Sequence, residues 1–294
     1  MRVISIAMMT SSLLLAWVFS VAASGGASTT AQQAQDAETA PSFSEPLRAD
    51  AEITLTSGQG VVVDNPYGSV FVRFGGYTHT LATHSTLQQP AGAAMIVMVP
   101  AVREASLVLE PRLPQDVALA EGQRFDLVLY VPQGHPLRIV TSFGAIESRD
   151  VKGDVDLISG SGNITVRGEQ DTVVLARSDA GDIAVSMSGK ARPGSLQRIT
   201  TRTGSIVVTV SDSLDAKALL TSSGAFTTDY SLSVAHADGA EPDKIGHASI
   251  GRTEQGDGGA SIVLESLRGD IRISRRAMFV EAPESATSVI DAVP

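Results

Sequence analysis

Ser159-Gly160-Ser161-Gly162-Asn163-Ile164-Thr165-Val166 carries, in eight residues, the unit from which the fold can be read. Hydroxyl residues lead to a glycine. One variable residue follows, then a large apolar one, then apolar residues on alternate positions. Alternation with a period of two gives a strand one buried and one solvated face. The same Gly-x-apolar step stands at Gly144-Ala145-Ile146, Gly181-Asp182-Ile183, Gly204-Ser205-Ile206, Gly224-Ala225-Phe226 and Gly269-Asp270-Ile271. The first five copies, Gly162 included, lie about 18 to 23 residues apart; the last gap is roughly twice that. Around Gly246 to Ile250 one copy has therefore drifted, or the chain carries an insertion.

A unit of roughly 20 residues is too short to bury its own apolar edge, whereas stacked units share one core. The reading is accordingly an all-β chain of stacked strand repeats, β-solenoid-like and of the parallel β-helix type, with Gly-x-Ile repeats over 137–276. Ile146, Ile164, Ile183, Ile206 and Phe226 are expected to stack into a ladder. Glycine is required where the chain turns or passes close to the unit beneath. Neighbouring Ser and Thr hydroxyls satisfy turn backbone groups locally. An antiparallel sandwich with glycine in its turns is the competing fold, but it has no reason to keep one Gly-x-Ile order in copy after copy.

Upstream, strand signals are irregular. Val61-Val62-Val63 and Val70-Phe71-Val72 flank a turn at Asp64-Asn65-Pro66-Tyr67-Gly68. Met95 to Val99 and Phe125 to Val131 read as strands ended by Pro100 and Pro132, and Arg103 to Leu109 fits helix or strand. Ser24 to Glu52 is rich in Ala, Ser, Thr, Gln and Pro and carries five acids against Arg48, the composition of a flexible acidic linker. Residues 277–294 read as a flexible tail in which Met278-Phe279-Val280 is a candidate last strand. The folded part is expected over 53–276.

At the N-terminus, Met1-Arg2, the apolar run through Leu13 to Phe19 and Val21-Ala22-Ala23 form a signal peptide over 1–23. A retained single-span anchor is the alternative. No later stretch approaches 18 apolar residues, so no stable membrane span is expected after cleavage. The expected location is exported, periplasmic or cell-surface.

These features together resemble the bacterial exported β-strand-repeat putative-adhesin family. The resemblance rests on Asn65-Pro66-Tyr67-Gly68-Ser69-Val70-Phe71-Val72, on Leu129-Tyr130-Val131-Pro132-Gln133-Gly134, and on the Ser/Thr-rich Gly-x-Ile repeats that follow. It covers about 53–276 and implies a β-solenoid-like fold in a surface or periplasmic setting. It carries over no catalytic residue, and the stretch between Gly224 and Gly269 departs from its pattern.

Composition narrows the chemistry. The 294 residues include no cysteine, which removes disulfides, thiolate catalysis and cysteine-ligated metals. Net charge is −10, but 53–276 holds 20 basic and 24 acidic residues, so the acidity sits mostly in the flanks. Nucleic acid is excluded as a partner on this balance. His79 and His84 are five apart, an odd spacing that sends strand side chains to opposite faces, so no metal is expected between them. Ser159-Gly160-Ser161-Gly162 is not a nucleophile elbow. Gly256-Asp257-Gly258-Gly259 is a single copy of a motif that binds calcium only in tandem. Asp154, Asp156, Asp179, Asp182 and Asp270 recur near turns and read as solvated turn residues, and the sequon Asn163-Ile164-Thr165 reads as a chance match. No catalytic, cofactor or metal site is expected.

The function expected is a non-enzymatic exported scaffold, an adhesin or envelope-interaction protein. Its rows of Thr, Ser and Arg, such as Thr200-Thr201-Arg202-Thr203, would face a protein or glycan partner of the envelope or surface. The alternatives are a carbohydrate-active parallel β-helix enzyme and an envelope structural or regulatory protein held by a retained anchor.

Overall fold

The computed structural model describes residues 43–168, 172–187, 192–211, 213–251 and 259–276, all within one unit spanning Pro41–Pro294. The signal peptide, the linker before Phe43, the Gly256-Asp257-Gly258 motif and the tail with Met278-Phe279-Val280 lie outside the described residues. Every regular element described is a strand.

Seven strands precede the repeats: β1 (Leu47–Thr54), β2 (Gly60–Asn65), β3 (Val70–Phe74), β4 (Thr80–Gln88), β5 (Val97–Arg103), β6 (Ser106–Arg112) and β7 (Arg124–Val131). The repeats then supply strands in pairs: β8 (Leu137–Thr141) with β9 (Ile146–Arg149), β10 (Val155–Ser159) with β11 (Ile164–Gly168), and β12 (Val174–Ser178) with β13 (Ile183–Met187). They continue as β14 (Leu196–Thr201) with β15 (Ile206–Val210), and β16 (Ala216–Ser222) with β17 (Phe226–Thr228). The hairpin β18 (Ser231–His236) and β19 (Lys244–Ile250) intervenes before the pair β20 (Ala260–Ser266) and β21 (Ile271–Arg275).

The first strand of each pair joins an 11-stranded sheet and the second a 10-stranded sheet. Between them lie the buried alternate residues. Successive copies pair in parallel and in register, so Ile146, Ile164, Ile183 and Ile206 are neighbours across β9, β11, β13 and β15. All four are essentially inaccessible to solvent. Each such side chain contributes about 2 kcal/mol by leaving water.

The predicted ladder holds, with one insertion and one extension. β20 lies between β14 and β16, and β21 between β15 and β17, so Ile271 separates Ile206 from Phe226. The last copy in the sequence is therefore not the last in the stack. Gly246 to Ile250 is not a drifted copy: it belongs to β19, which pairs antiparallel with β16 and, with β18 beyond it, extends that side of the sheet. At the other end Gly68-Ser69-Val70 acts as a further rung, with Val70 paired to Ile146.

Both sheets are mixed because antiparallel strands flank the parallel stack. β4 and β1 extend the shorter sheet and β5 the longer one. Three upstream expectations change accordingly. Residues 47–52, read as linker, form most of β1. Its side chains are exposed apart from the half-buried Ile53, so composition carries no sign of the strand, and backbone pairing to β4 holds it. β5 runs through Pro100 rather than stopping there, as an edge strand permits. Arg103 to Leu109 is neither one helix nor one strand: it holds the end of β5, a turn with positive φ at Glu104 and Ala105, and the start of β6.

Candidate functional site

Two side-chain ladders hold the turns between paired strands, and they decide which polar residues remain for recognition. A Cβ on Gly162, Gly181, Gly204, Gly269 or Gly224 would overlap the carbonyl oxygen of the glycine one rung below: Gly144, Gly162, Gly181, Gly204 and Gly269 respectively. Only glycine permits this approach. Beside it, the hydroxyl at the end of the preceding strand bonds in two directions. Ser178 Oγ accepts from Gly181 N at 2.8 Å and donates to Gly162 O at 3.2 Å. Thr201 does the same with Gly204 and Gly181, Ser266 with Gly269 and Gly204, and Ser222 with Gly224 and Gly269.

The second ladder uses the variable residue after each glycine. Asn163 Oδ1 accepts from Asp182 N at 2.9 Å, Asp182 Oδ1 from Ser205 N at 2.8 Å, and Asp270 Oδ1 from Ala225 N at 2.8 Å. Asp182 and Asp270, read from sequence as solvated turn residues, are thus exposed but bonded to the next rung. Asn163 of the sequon does the same. Asp154 is likewise engaged, accepting from Val173 N at 3.1 Å and pairing with Arg192 at 3.1 Å.

A groove-lining set of polar residues outside these ladders faces solvent from the 11-stranded sheet. Over β10, β12, β14, β20 and β16 its outer positions form two register rows. One runs Asp156, Leu175, Arg198, Val263, Leu219; the other runs Ile158, Arg177, Thr200, Glu265, Thr221. All of these except Val263 and Leu219 floor an open groove of about 820 Å³, with Asp179, Arg202, Leu267 and Pro242 also in its lining. The groove is apolar along Ile158 and Leu175 and charged around them. Arg177 lies 3.6 Å from Asp179, Arg198 3.4 Å from Glu265, and Arg138 is paired with Asp156. Beside Leu267, Arg268 Nε donates to Glu241 at 2.7 Å, and that carboxylate raises the guanidinium's already high pKa. Ion pairs this exposed contribute at most about 1 kcal/mol each, so an incoming partner can recruit their charges at little cost.

The predicted row Thr200-Thr201-Arg202-Thr203 divides. Thr200, Thr201 and Arg202 all border the groove, but Thr201 is buried there with its hydroxyl committed to the ladder. Asp156 and Asp179 also reach the groove, each against an arginine. His79 and His84 have different partners: His84 Nδ1 meets Asp50 at 2.7 Å, and His79, which lies just before β4 and so outside the strand alternation, meets His135 Nε2 through its Nδ1 at 3.1 Å. The arginines at outward positions, Arg177 and Arg198, were missed from the sequence. Their signal was alternation itself, since each sits between two inward residues of a repeat strand.

No family model matches the chain, and no curated protein does. Solved structures do. The chain is similar to a putative cell adhesion protein from Clostridium sporogenes, at 8% identity and a TM-score of 0.43, covering 79% of this chain and 100% of that one. It is similar to a putative adhesin from Bacteroides fragilis at 10% identity and a TM-score of 0.32, covering 77% and 97%. A putative lipid binding protein from Parabacteroides distasonis matches at 9% identity and a TM-score of 0.28, covering 78% and 97%. Among the described residues no helix is long and apolar enough to cross a membrane.

Proposed function

We propose that the chain is a non-enzymatic, exported recognition scaffold of β-solenoid type, an adhesin or envelope-interaction protein, and that its partner binds the outer face of the 11-stranded sheet. In-register parallel pairing of successive copies supports the solenoid reading, and the Met1 to Ala23 pattern supports export.

One observation carries the recognition role. The groove displays arginines and carboxylates in register on a rigid sheet, over an apolar strip at Ile158 and Leu175. Such a surface matches an extended protein segment or glycan with mixed charge. Acids of the kind that serve glycoside hydrolysis are engaged elsewhere, Asp182 and Asp270 in the rung ladder and Asp154 with Val173 and Arg192.

The test is binding of the full chain to native envelope fractions, whole cells and a glycan panel, compared with the double variant Arg177→Glu, Arg198→Glu. The expected result is at least tenfold weaker binding by the variant, with Arg272→Glu on the other sheet unchanged. Equal binding by all three proteins, absence of binding by the wild-type chain, or cleavage of any polysaccharide would overturn the proposal.

A further inference from the structure

We propose that His79 and His135 form a two-histidine site for a divalent late transition-metal ion, with Cu²⁺ preferred over Zn²⁺. The pair is separate from the groove and joins parts of the chain that the repeat does not explain. His135 follows Gly134 on the way into β8, and only 1% of its surface is accessible. Its Nδ1 lies 2.8 Å from the carbonyl oxygen of Gln59. A carbonyl only accepts, so Nδ1 carries the hydrogen and the Nε2 lone pair is left free to bind in the ring plane. A backbone carbonyl on the far nitrogen is the arrangement that orients a metal-ligating histidine and makes it more basic.

That lone pair faces His79, whose Nδ1 is 3.1 Å away with the two rings nearly perpendicular at 82°. Metal–imidazole bonds are about 2.0–2.1 Å long. Two of them meeting at about 90° separate the nitrogens by roughly 2.9 Å, and at the tetrahedral angle by roughly 3.3 Å. The observed spacing falls between, so an ion set off the nitrogen–nitrogen line reaches both nitrogens once each ring tilts about its side-chain torsions to aim its lone pair at it. It replaces the hydrogen now shared between them: His79 gives up its Nδ1 proton to solvent and takes one at Nε2, so both rings bind as neutral imidazoles with no net proton released.

Because His79 is exposed, the remaining coordination positions open to water. Among the described residues no cluster of three or more His, Cys, Asp or Glu stands ready to hold a metal, so the ion binds through this pair and exchanges readily. Imidazole donors select Cu²⁺, Ni²⁺ and Zn²⁺ over Mg²⁺ and Ca²⁺, and Cu²⁺ binds most tightly in that series. His79 immediately precedes β4 of the antiparallel flank, and His135 lies two residues before β8, the first strand of the repeat stack. The ion would therefore clamp the flank to the stack and stabilise the folded chain by mass action.

Calorimetric titration of the full chain with CuSO₄ and then ZnCl₂ tests the site, alongside His79→Ala and His84→Ala. The expected result is one equivalent of Cu²⁺ bound, nitrogen hyperfine structure from two imidazoles in the electron spin resonance spectrum, and a raised Tm. His79→Ala should weaken binding at least tenfold and His84→Ala should leave it unchanged. MgCl₂ should shift nothing. Failure of the folded wild-type chain to bind Cu²⁺, or binding that survives His79→Ala, would reduce the pair to a hydrogen bond alone.

Discussion

The α-carbon of Gly269 packs against the carbonyl oxygen of Gly204, although 64 residues of intervening chain separate the two. Gly224, which follows Gly204 by one repeat in sequence, packs instead on Gly269. The last repeat has slipped between two earlier ones, and the same bonds that join sequential copies receive it: Ser266 donates to Gly204 O at 2.9 Å and Ser222 to Gly269 O at 2.6 Å.

The glycine ladder is the least forgiving feature of the stack. Gly181→Ala drives a methyl group into the Gly162 carbonyl, a backbone atom with no side-chain freedom to yield. Loss of about 3 kcal/mol is expected, at the upper end of overpacking costs. Gly168→Ala, whose nearest neighbour would be 3.9 Å away, should instead be neutral or up to about 0.5 kcal/mol stabilising. Urea melts of both variants distinguish the two outcomes.

Ser178→Ala leaves Gly181 N and Gly162 O without the hydroxyl that now serves both. Two backbone groups at a buried turn lose a partner, so a cost of about 2 kcal/mol is expected. Ser178→Thr, the side chain found at the equivalent Thr201, should recover most of it. A threonine variant as unstable as alanine would contradict the bonding scheme.

Leu264, fully buried in the slipped-in rung, supports strands remote from it in sequence. Leu264→Ala should cost about 3 kcal/mol through the cavity it leaves. Hydrogen exchange should then quicken together in β14 and β16, the two spatial neighbours, rather than spreading along the chain. Exchange confined to residues 260–266 would argue against the observed stacking order.

Asp64 and Glu110 directly follow the paired residues Val63 and Leu109 on adjacent parallel strands, so two carboxylates sit side by side. Asp64 keeps an exposed tip but is crowded by its neighbours; desolvation, then Glu110, raises its pKa above 3.8. Its folded form holds a proton more readily than the unfolded chain does. Its contribution to stability therefore falls as pH rises past 3.8 and stays unfavourable above the folded value. Glu110 behaves oppositely. The hydrogen bond from Arg112 lowers its pKa, so its stabilisation is present above 4.5 and is lost as pH falls through the folded value. Asp64→Asn should raise Tm slightly at neutral pH and low salt, with the gain shrinking as pH drops or salt rises. Thermal melts across pH measure it.

Much of this protein was legible in order along the chain. Alternation marked the strands, and the recurring Ser/Thr-rich approach to a Gly-x-apolar step marked the turns, because both depend on residues within one rung. The slipped-in rung, the antiparallel flanks, the engaged state of Asp182 and Asp270, and the meeting of His79 with His135 were not legible. Equivalent rungs offer nearly equal parallel edges, so local pattern cannot choose which edge a given copy pairs with. That choice falls to the hairpin β18–β19, which covers the outer side of β16 and leaves its inner side to β20. The sequence by itself determined what a rung is. Only the tertiary structure decided the order of the rungs, and with it which side chains the scaffold consumes and which it leaves facing a partner.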